Sequence, residues 1–250
     1  TEVWAVAGRR GKPITNEAAH TAKPLEIHTP EDYCSFCAPR YYETAPEKSR
    51  LIRHNGSWER VDLLAPDRYF ETVAEFRRTG NLFEIVTLEY WRRNYAYKIP
   101  ASRVKWREDY LAIPAGLKHV TDIVQYKLRR EGKTDEQIEK MPMADKLAIA
   151  DAFFGGGHEM VIARRHFKDG ATLDTDLYSS GEMTEEEHYW YFKLTVDAIR
   201  DITLNNRYVR YISVFQNWLR AAGASFDHLH KQLVSLDEWG ASIENQIKMR

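Results

Sequence analysis

Cysteine is scarce. Only Cys34 and Cys37 occur in the 250 residues, both in "DYCSFCAPR". Two thiols cannot build the disulfide framework of a small secreted scaffold. A surplus of either charge is also lacking: 36 Lys and Arg face 37 Asp and Glu, a formal net charge of −1. Like charges form no block, so neither an overall basic field for nucleic acid nor a charged tail is expected. No apolar run reaches the length of a transmembrane helix, and the N-terminus has no signal-peptide core. A cytoplasmic protein with no membrane partner is the expectation. Internal repeats and low-complexity segments are absent as well. The chain does not begin with Met, and "TEVWAVAGRR" opens directly in strand-like alternation. The native sequence is therefore expected to extend beyond these ends.

What is present is enough apolar material, 43% hydrophobic and 12% aromatic, for one substantial core. "TEVWAVAG", "GSWERVDLLAP" and "GNLFEIVTLEYW" read as strand-rich pieces. Residues from about 88 to 157 differ. "LKHVTDIVQYKLRREG" has helical spacing and stops at Gly132. "TDEQIEKMPMADKLAIADAFFGGG" is a second helical stretch, broken near Pro142 and closed by three glycines. This region reads as a helical insertion, either a decoration or a lid. The aromatic-rich "YWRRNYAYKI" within it suits a core or an interface.

Strand character returns in "HEMVIARRHF", with Met160 and Ile162 on one side and Val161 and Ala163 on the other. A helix follows from Thr184. Thr184 and Glu187 form a capping box, and Tyr191, Leu194, Ala198 and Ile202 repeat at helical spacing. "RYVRYISVFQN" and "HLHKQLVSL" read as two more strands. The order predicts one α+β domain over residues 1–250, an antiparallel sheet with flanking helices and a helical insertion.

Three features carry chemistry. The CxxC pair is either a redox couple or half of a metal site, and its Pro-rich surroundings favour the metal. His228, His230 and Gln232 lie two apart, so a strand would put them on one face at steps of about 7 Å. One histidine can then anchor a metal while the other does chemistry. The preceding "NWLRAAGAS" brings Asn217, Gly223 and Ser225, whose amide, backbone NH groups and hydroxyl can meet an anion.

These residues are recognisable together. "FQNWLRAAGASFDHLHKQ" resembles the active-site segment of galactose-1-phosphate uridylyltransferases, a branch of the histidine-triad superfamily. That segment is Phe-Glu-Asn, five residues, Gly-x-Ser, two residues and His-Pro-His-x-Gln, and the spacing agrees throughout. The family's zinc CxxC resembles Cys34 and Cys37. Its strand ending in a zinc histidine resembles "MVIARRH", ending at His166. "VWAVAGRRGKP" and "NLFEI" resemble its nucleotide-contacting segments, at Arg10 and Asn81. The departures are Leu229 for the middle proline, Asp227 for the proline before His228, and Gln216 for Glu. An Asp before the first histidine also occurs in diadenosine tetraphosphate phosphorylases. The family's second half has no counterpart before Arg250.

The resemblance implies a histidine-triad-like fold, zinc on Cys34, Cys37, His166 and His228, and His230 as nucleophile. Gln232, Ser225 and Asn217 would assist catalysis, and Arg10, Asn81 and Gly223 would bind nucleotide. The implied reactants are a nucleoside diphosphate sugar and a sugar 1-phosphate, on a homodimer. Histidine-triad hydrolases carry a third histidine where this chain has Gln232. An amide holds hydrogen bonds but cannot shuttle protons, which suits phosphate-for-phosphate exchange. Two alternatives stand beside this reading. One is an adenylyl-transferring phosphorylase of a nucleoside diphosphate sugar or a dinucleoside polyphosphate. The other is a zinc-stabilised binding module without catalysis.

Overall fold

The computed structural model describes residues 21–25, 32–219 and 224–249. Six strands form one antiparallel sheet in the order β2-β1-β3-β4-β6-β5. They are β1 (Glu47–His54), β2 (Ser57–Asp62), β3 (Phe76–Gly80), β4 (His158–Ala163), β5 (Tyr211–Phe215) and β6 (His230–Leu236). The α+β class and the flanking helices expected from sequence are both present. The opening "TEVWAVAG" lies outside the described residues.

Between β3 and β4 come α1 (Leu88–Tyr95), α2 (Ala101–Ala112), α3 (Pro114–Arg130), α4 (Asp135–Lys140) and α5 (Met143–Gly155). α6 (Glu185–Asn205) joins β4 to β5, and α7 (Ala241–Lys248) follows β6. α4 starts from a Thr134–Gln137 capping box, and α6 from the Thr184–Glu187 box. Each box satisfies two end NH groups that the helix itself leaves without partners.

"GNLFEIVTLEYW" is not strand-rich. β3 ends at Gly80, and the Asn81 side chain turns the chain by accepting the Phe83 N–H at 2.9 Å. Thr87 then caps α1. Nor is the helical insertion a decoration. Val120, Ile123, Val124 and Leu128 of α3 pack with Phe153 and Phe154 of α5, Tyr41 and Tyr69 into a core of their own. Burial of each such aliphatic side chain contributes about 1.5–3 kcal/mol. A second core joins α6 to the sheet through Phe76, Val161, Leu233, Tyr191, Leu194 and Ala198. Within "YWRRNYAYKI", Trp91 and Tyr97 are buried in that core while Tyr90 is exposed.

The first core holds a buried histidine. The His119 Nε2–H donates to the Thr44 carbonyl at 2.7 Å, and its Nδ1 accepts from the Tyr110 hydroxyl at 2.7 Å. Burial pushes its pKa down to about 4. Below the ordinary value near 6.5, the unfolded chain takes up a proton that the folded chain refuses. Stability is therefore lost as pH falls from about 6.5 towards 4, by about 3 kcal/mol in all. In His119→Gln, the difference in unfolding free energy between about pH 7 and pH 5 is expected to shrink by about 2 kcal/mol. Urea titrations at the two pH values measure it. An unchanged difference would mean that the folded protein already carries a protonated His119.

Candidate active site and metal centre

Four side chains from three separate segments meet at one end of the sheet. Cys34 and Cys37 come from the turn before the 3₁₀ segment Ala38–Glu43. Its geometry is local: the Cys37 N–H donates to the Cys34 carbonyl at 2.9 Å, and the Phe36 N–H points at Cys34 Sγ at 3.4 Å. His166 lies three residues beyond β4, and His228 two before β6. The sulfurs are 3.9 Å apart. Cys34 Sγ is 3.3 Å from His166 Nδ1 and 3.5 Å from His228 Nδ1, and Cys37 Sγ is 3.7 and 3.9 Å from the same atoms. Tetrahedral coordination with ordinary zinc–sulfur and zinc–nitrogen bonds gives edges of about 3.8 Å between sulfurs and about 3.6 Å from sulfur to nitrogen. Five edges thus approach those of a tetrahedral cage, all four donor atoms lie within 4.8 Å of one another, and the cluster could hold a metal ion.

The donor chemistry fits a cation too. A hydrogen bond from Cys34 favours the Cys37 thiolate against the cost of burial, and His166 and His228 add to it. The same pairing with Cys37, with burial behind it, pushes the Cys34 thiol up. Two thiolates this close oppose one another unless a positive ion lies between them. His228 is oriented from behind: its Nε2–H donates to the Ala163 carbonyl at 2.6 Å, leaving Nδ1 bare towards the sulfurs. His166 is held by ring contacts, stacked on Phe167 at 4.5 Å with Tyr33 edge-on at 4.9 Å.

His230 follows directly. Its Nδ1–H donates to the backbone carbonyl of His228 at 2.7 Å, which leaves the lone pair on Nε2. Burial lowers its pKa, so the neutral ring is the favoured form at neutral pH. One residue therefore couples the two parts of the site: the His228 side chain serves the cage and its backbone orients His230. His228 itself lies before β6 rather than on it, because the strand begins at His230. That corrects the picture of both histidines on one strand face.

Within β6 the alternation holds. His230 is opposite Ile162 and Gln232 opposite Met160, on the face that also carries Phe36. Lys231 points to the other face, its ammonium 3.9 Å from the Tyr191 ring centre and 3.7 Å from that of Phe192.

Gln232 has partners that sequence reading missed. His158 Nδ1 accepts the Ile85 N–H at 3.0 Å, so its proton sits on Nε2, 3.1 Å from Gln232 Oε1. The Asn81 amide nitrogen is 3.1 Å from the same ring nitrogen and 3.5 Å from Gln232 Oε1. All three side chains are buried. Asn81 thus stands beside Gln232. The only trace of His158 in the sequence is its place in the alternation of His158, Met160 and Ile162; the β4–β6 register makes it a neighbour of Gln232. Asn217 is half-buried two residues beyond β5, whose Phe215 lies opposite Gln232. Ser225 is exposed just before Phe226, which packs on Phe36 at 4.3 Å. Arg10 and Gly223 lie outside the described residues.

With this geometry in hand, comparison with known proteins gives one family. The model of a domain of unknown function, DUF4921, matches residues 1–250, and the chain belongs to that family. No curated protein matches the chain. Among solved structures, it is similar to an ADP-glucose phosphorylase from Arabidopsis thaliana with bound ADP-glucose. That likeness has 15% identity and a TM-score of 0.43, and covers 92% of this chain and 53% of the other. The chain thus spans about half the length of that structure. Among the described residues, no helix is long and apolar enough to cross a membrane.

Proposed function

We propose that the chain is a nucleotidyltransferase working through a covalent intermediate on His230. It would exchange a nucleoside monophosphate between a nucleoside diphosphate sugar and a sugar 1-phosphate. The observation that carries this reading is the state of His230: a buried, neutral imidazole whose Nδ1–H is fixed by a backbone carbonyl, with Nε2 left as a base. An imidazole so held is an activated nucleophile without further help.

In the first step the Nε2 lone pair forms a bond to the α-phosphorus. The bond from that phosphorus to the bridging oxygen breaks, and the sugar 1-phosphate leaves with the electron pair. In the second step a phosphate oxygen of the acceptor attacks the same phosphorus, and the nitrogen–phosphorus bond returns its electrons to Nε2. Incoming and leaving groups are both phosphates, so neither needs a proton shuttle. Gln232 suits that task. His158 occupies its carbonyl end, which leaves its NH₂ as a fixed donor for a phosphoryl oxygen. Ser225, Asn217 and the backbone at Gly223 would add donors, and Arg10 would meet the neighbouring phosphate.

Zinc would be held by Cys34, Cys37, His166 and His228. Its contribution would be structural, fixing His228 and, through the His228 carbonyl, the ring of His230. The same intermediate serves a phosphorylase if inorganic phosphate is the acceptor.

The test is intact-protein mass after brief incubation with UDP-glucose or ADP-glucose, beside His230→Ala. The expected result is a gain of one nucleoside monophosphate that the variant does not show; the base is then read from the mass. Discharge by glucose 1-phosphate or by inorganic phosphate identifies the acceptor. Folded, zinc-replete protein that gains nothing from either donor would defeat the exchange reading.

A further inference from the structure

A second region of the molecule gathers positive charge around a cavity. α1, α2 and α5, with the 96–100 loop, enclose a cavity of about 390 Å³. It runs along α5 from Ala144 to Phe154, and α5 leads into the start of β4. The metal ligands gather at the other end of that strand, about 17 Å away along its length. The cavity lining carries four cations, Arg92, Lys98, Arg103 and Arg107, and a single carboxylate, Asp151.

The ion pairs leave much of that charge unanswered. Asp151 is shared, 2.7 Å from an Arg92 nitrogen and 2.8 Å from Arg107 Nε. Arg103 pairs with Asp201 of α6, but Asp201 also takes Arg78. Lys98 is exposed, and no ion pair among the described residues includes it. Such a surplus around a concave space is unfavourable by mutual repulsion and becomes favourable once an anion enters. Sharing Asp151 also holds two guanidinium groups in place, so the donors are set before a ligand arrives.

The apolar part of the wall is fixed as well. A Cβ on Gly155 would come within 2.7–2.8 Å of three Ile99 carbons, so Ile99 sits directly on the end of α5. Ile99 and Val104 give a bound molecule an apolar surface beside the charges.

We propose that this cavity binds a phosphorylated small molecule, at a site separate from His230. A multiply charged phosphate group fits the surplus better than a single carboxylate, because its several oxygens can face guanidinium groups from two helices at once. The proposal stands apart from the reaction at His230 and needs no metal.

The test is calorimetric titration with inorganic pyrophosphate, on wild type and on two variants that spare the core and the ion pairs. Lys98→Glu reverses a charge that no carboxylate of the described residues holds. Ala148→Trp places a large ring in the cavity from an exposed position on α5. Wild type is expected to bind one equivalent that both variants lose, or bind at least tenfold more weakly. Lys98→Arg restores it. Thermal midpoints and zinc content stay at wild-type values, which separates loss of the site from loss of the fold. Wild type that binds no pyrophosphate at millimolar concentration would overturn the proposal. So would both variants titrating as wild type does.

Discussion

Cys37→Ser is expected to abolish metal binding at the four-donor cluster and to lower the unfolding free energy by about 4 kcal/mol or more. The cage ties together segments far apart in the chain: Cys37 and His166 are separated by 129 positions, and Cys37 and His228 by 191. A link across loops of that size removes a large entropy from the unfolded chain. Structural zinc sites in small domains supply about 10–16 kcal/mol of apparent binding free energy, all of it coupled to folding. Here two apolar cores support the fold as well, so a partial loss is expected rather than complete unfolding. Serine keeps the size of the side chain but gives no thiolate at neutral pH, and the remaining three donors bind far more weakly.

Metal content by mass spectrometry and urea unfolding measure the effect. Wild type should carry about one zinc per chain, and the variant less than about a tenth of that. Chelation of wild type should reproduce the loss of stability. Cys37→Ser with full zinc content, or chelated protein as stable as native, would mean that the four donors do not act as a cage. A redox pair would show a different pattern: no metal, and a disulfide on mild oxidation. The variant should also lose the proposed nucleotidyl adduct, because the His228 carbonyl that orients His230 lies on a loop that a metal at the cluster would hold.

The parts of the site that were legible in the sequence are those fixed by short spacing. The CxxC turn is set within four residues, and the alternation of His230 and Gln232 follows from strand geometry alone. α6 was equally plain, since its cap, acidic first turn and apolar stripe are all local. What failed depends on long-range contacts. "GNLFEIVTLEYW" has the residue types of a strand, yet β3 stops at Gly80. A Cβ there would meet the Phe153 carbonyl at 3.1 Å, a contact supplied by a helix more than seventy residues later. His228 was placed on the strand by periodicity. In the fold, the Leu229 carbonyl accepts the Ala163 N–H at 3.0 Å as the last bond beside β4, and the His228 ring swings towards the cysteines. His158 was missed because only the register of β4 against β6 brings it to Gln232. The cationic cavity was invisible for a like reason, its charges coming from two helices and a loop inside a segment that read as plain helix.

Glu159→Gln is expected to cost about 3–5 kcal/mol, through the burial of cations without their anion. Glu159 follows His158 in β4 and faces the other side of the sheet, fully enclosed. Arg78 grips both its oxygens, at 2.9 Å through one terminal nitrogen and through Nε, and Lys48 Nζ is 2.6 Å from Oε1. Burial alone would raise the carboxyl pKa, but Arg78 and then Lys48 outweigh it and hold the group down at about 2. For Lys48 the order is reversed: burial pulls its pKa down more than Glu159 lifts it. Arg78 is thus the larger of the two influences that keep Glu159 ionised.

The stabilisation is present above the ordinary carboxylate value near 4.5 and is lost as pH falls towards 2, by about 3 kcal/mol. That agrees with the cost expected for removing the charge outright. Glutamine keeps the shape and one acceptor, but turns an NH₂ towards one of the cations and leaves Arg78 and Lys48 without the anion between them. Urea unfolding at about pH 7 measures the loss. A companion variant, Lys48→Met with Arg78→Met and Glu159→Met, should recover much of it, because an apolar cluster of similar volume avoids the desolvation altogether. A cost below about 1 kcal/mol for Glu159→Gln would show that water reaches these charges. The distinction bears on β4, since the same network pins β3 and β1 to that strand. If the network is dry, Glu159→Gln should loosen β4 and lower stability at about pH 7 while leaving Cys34, Cys37, His166 and His228 able to take up zinc.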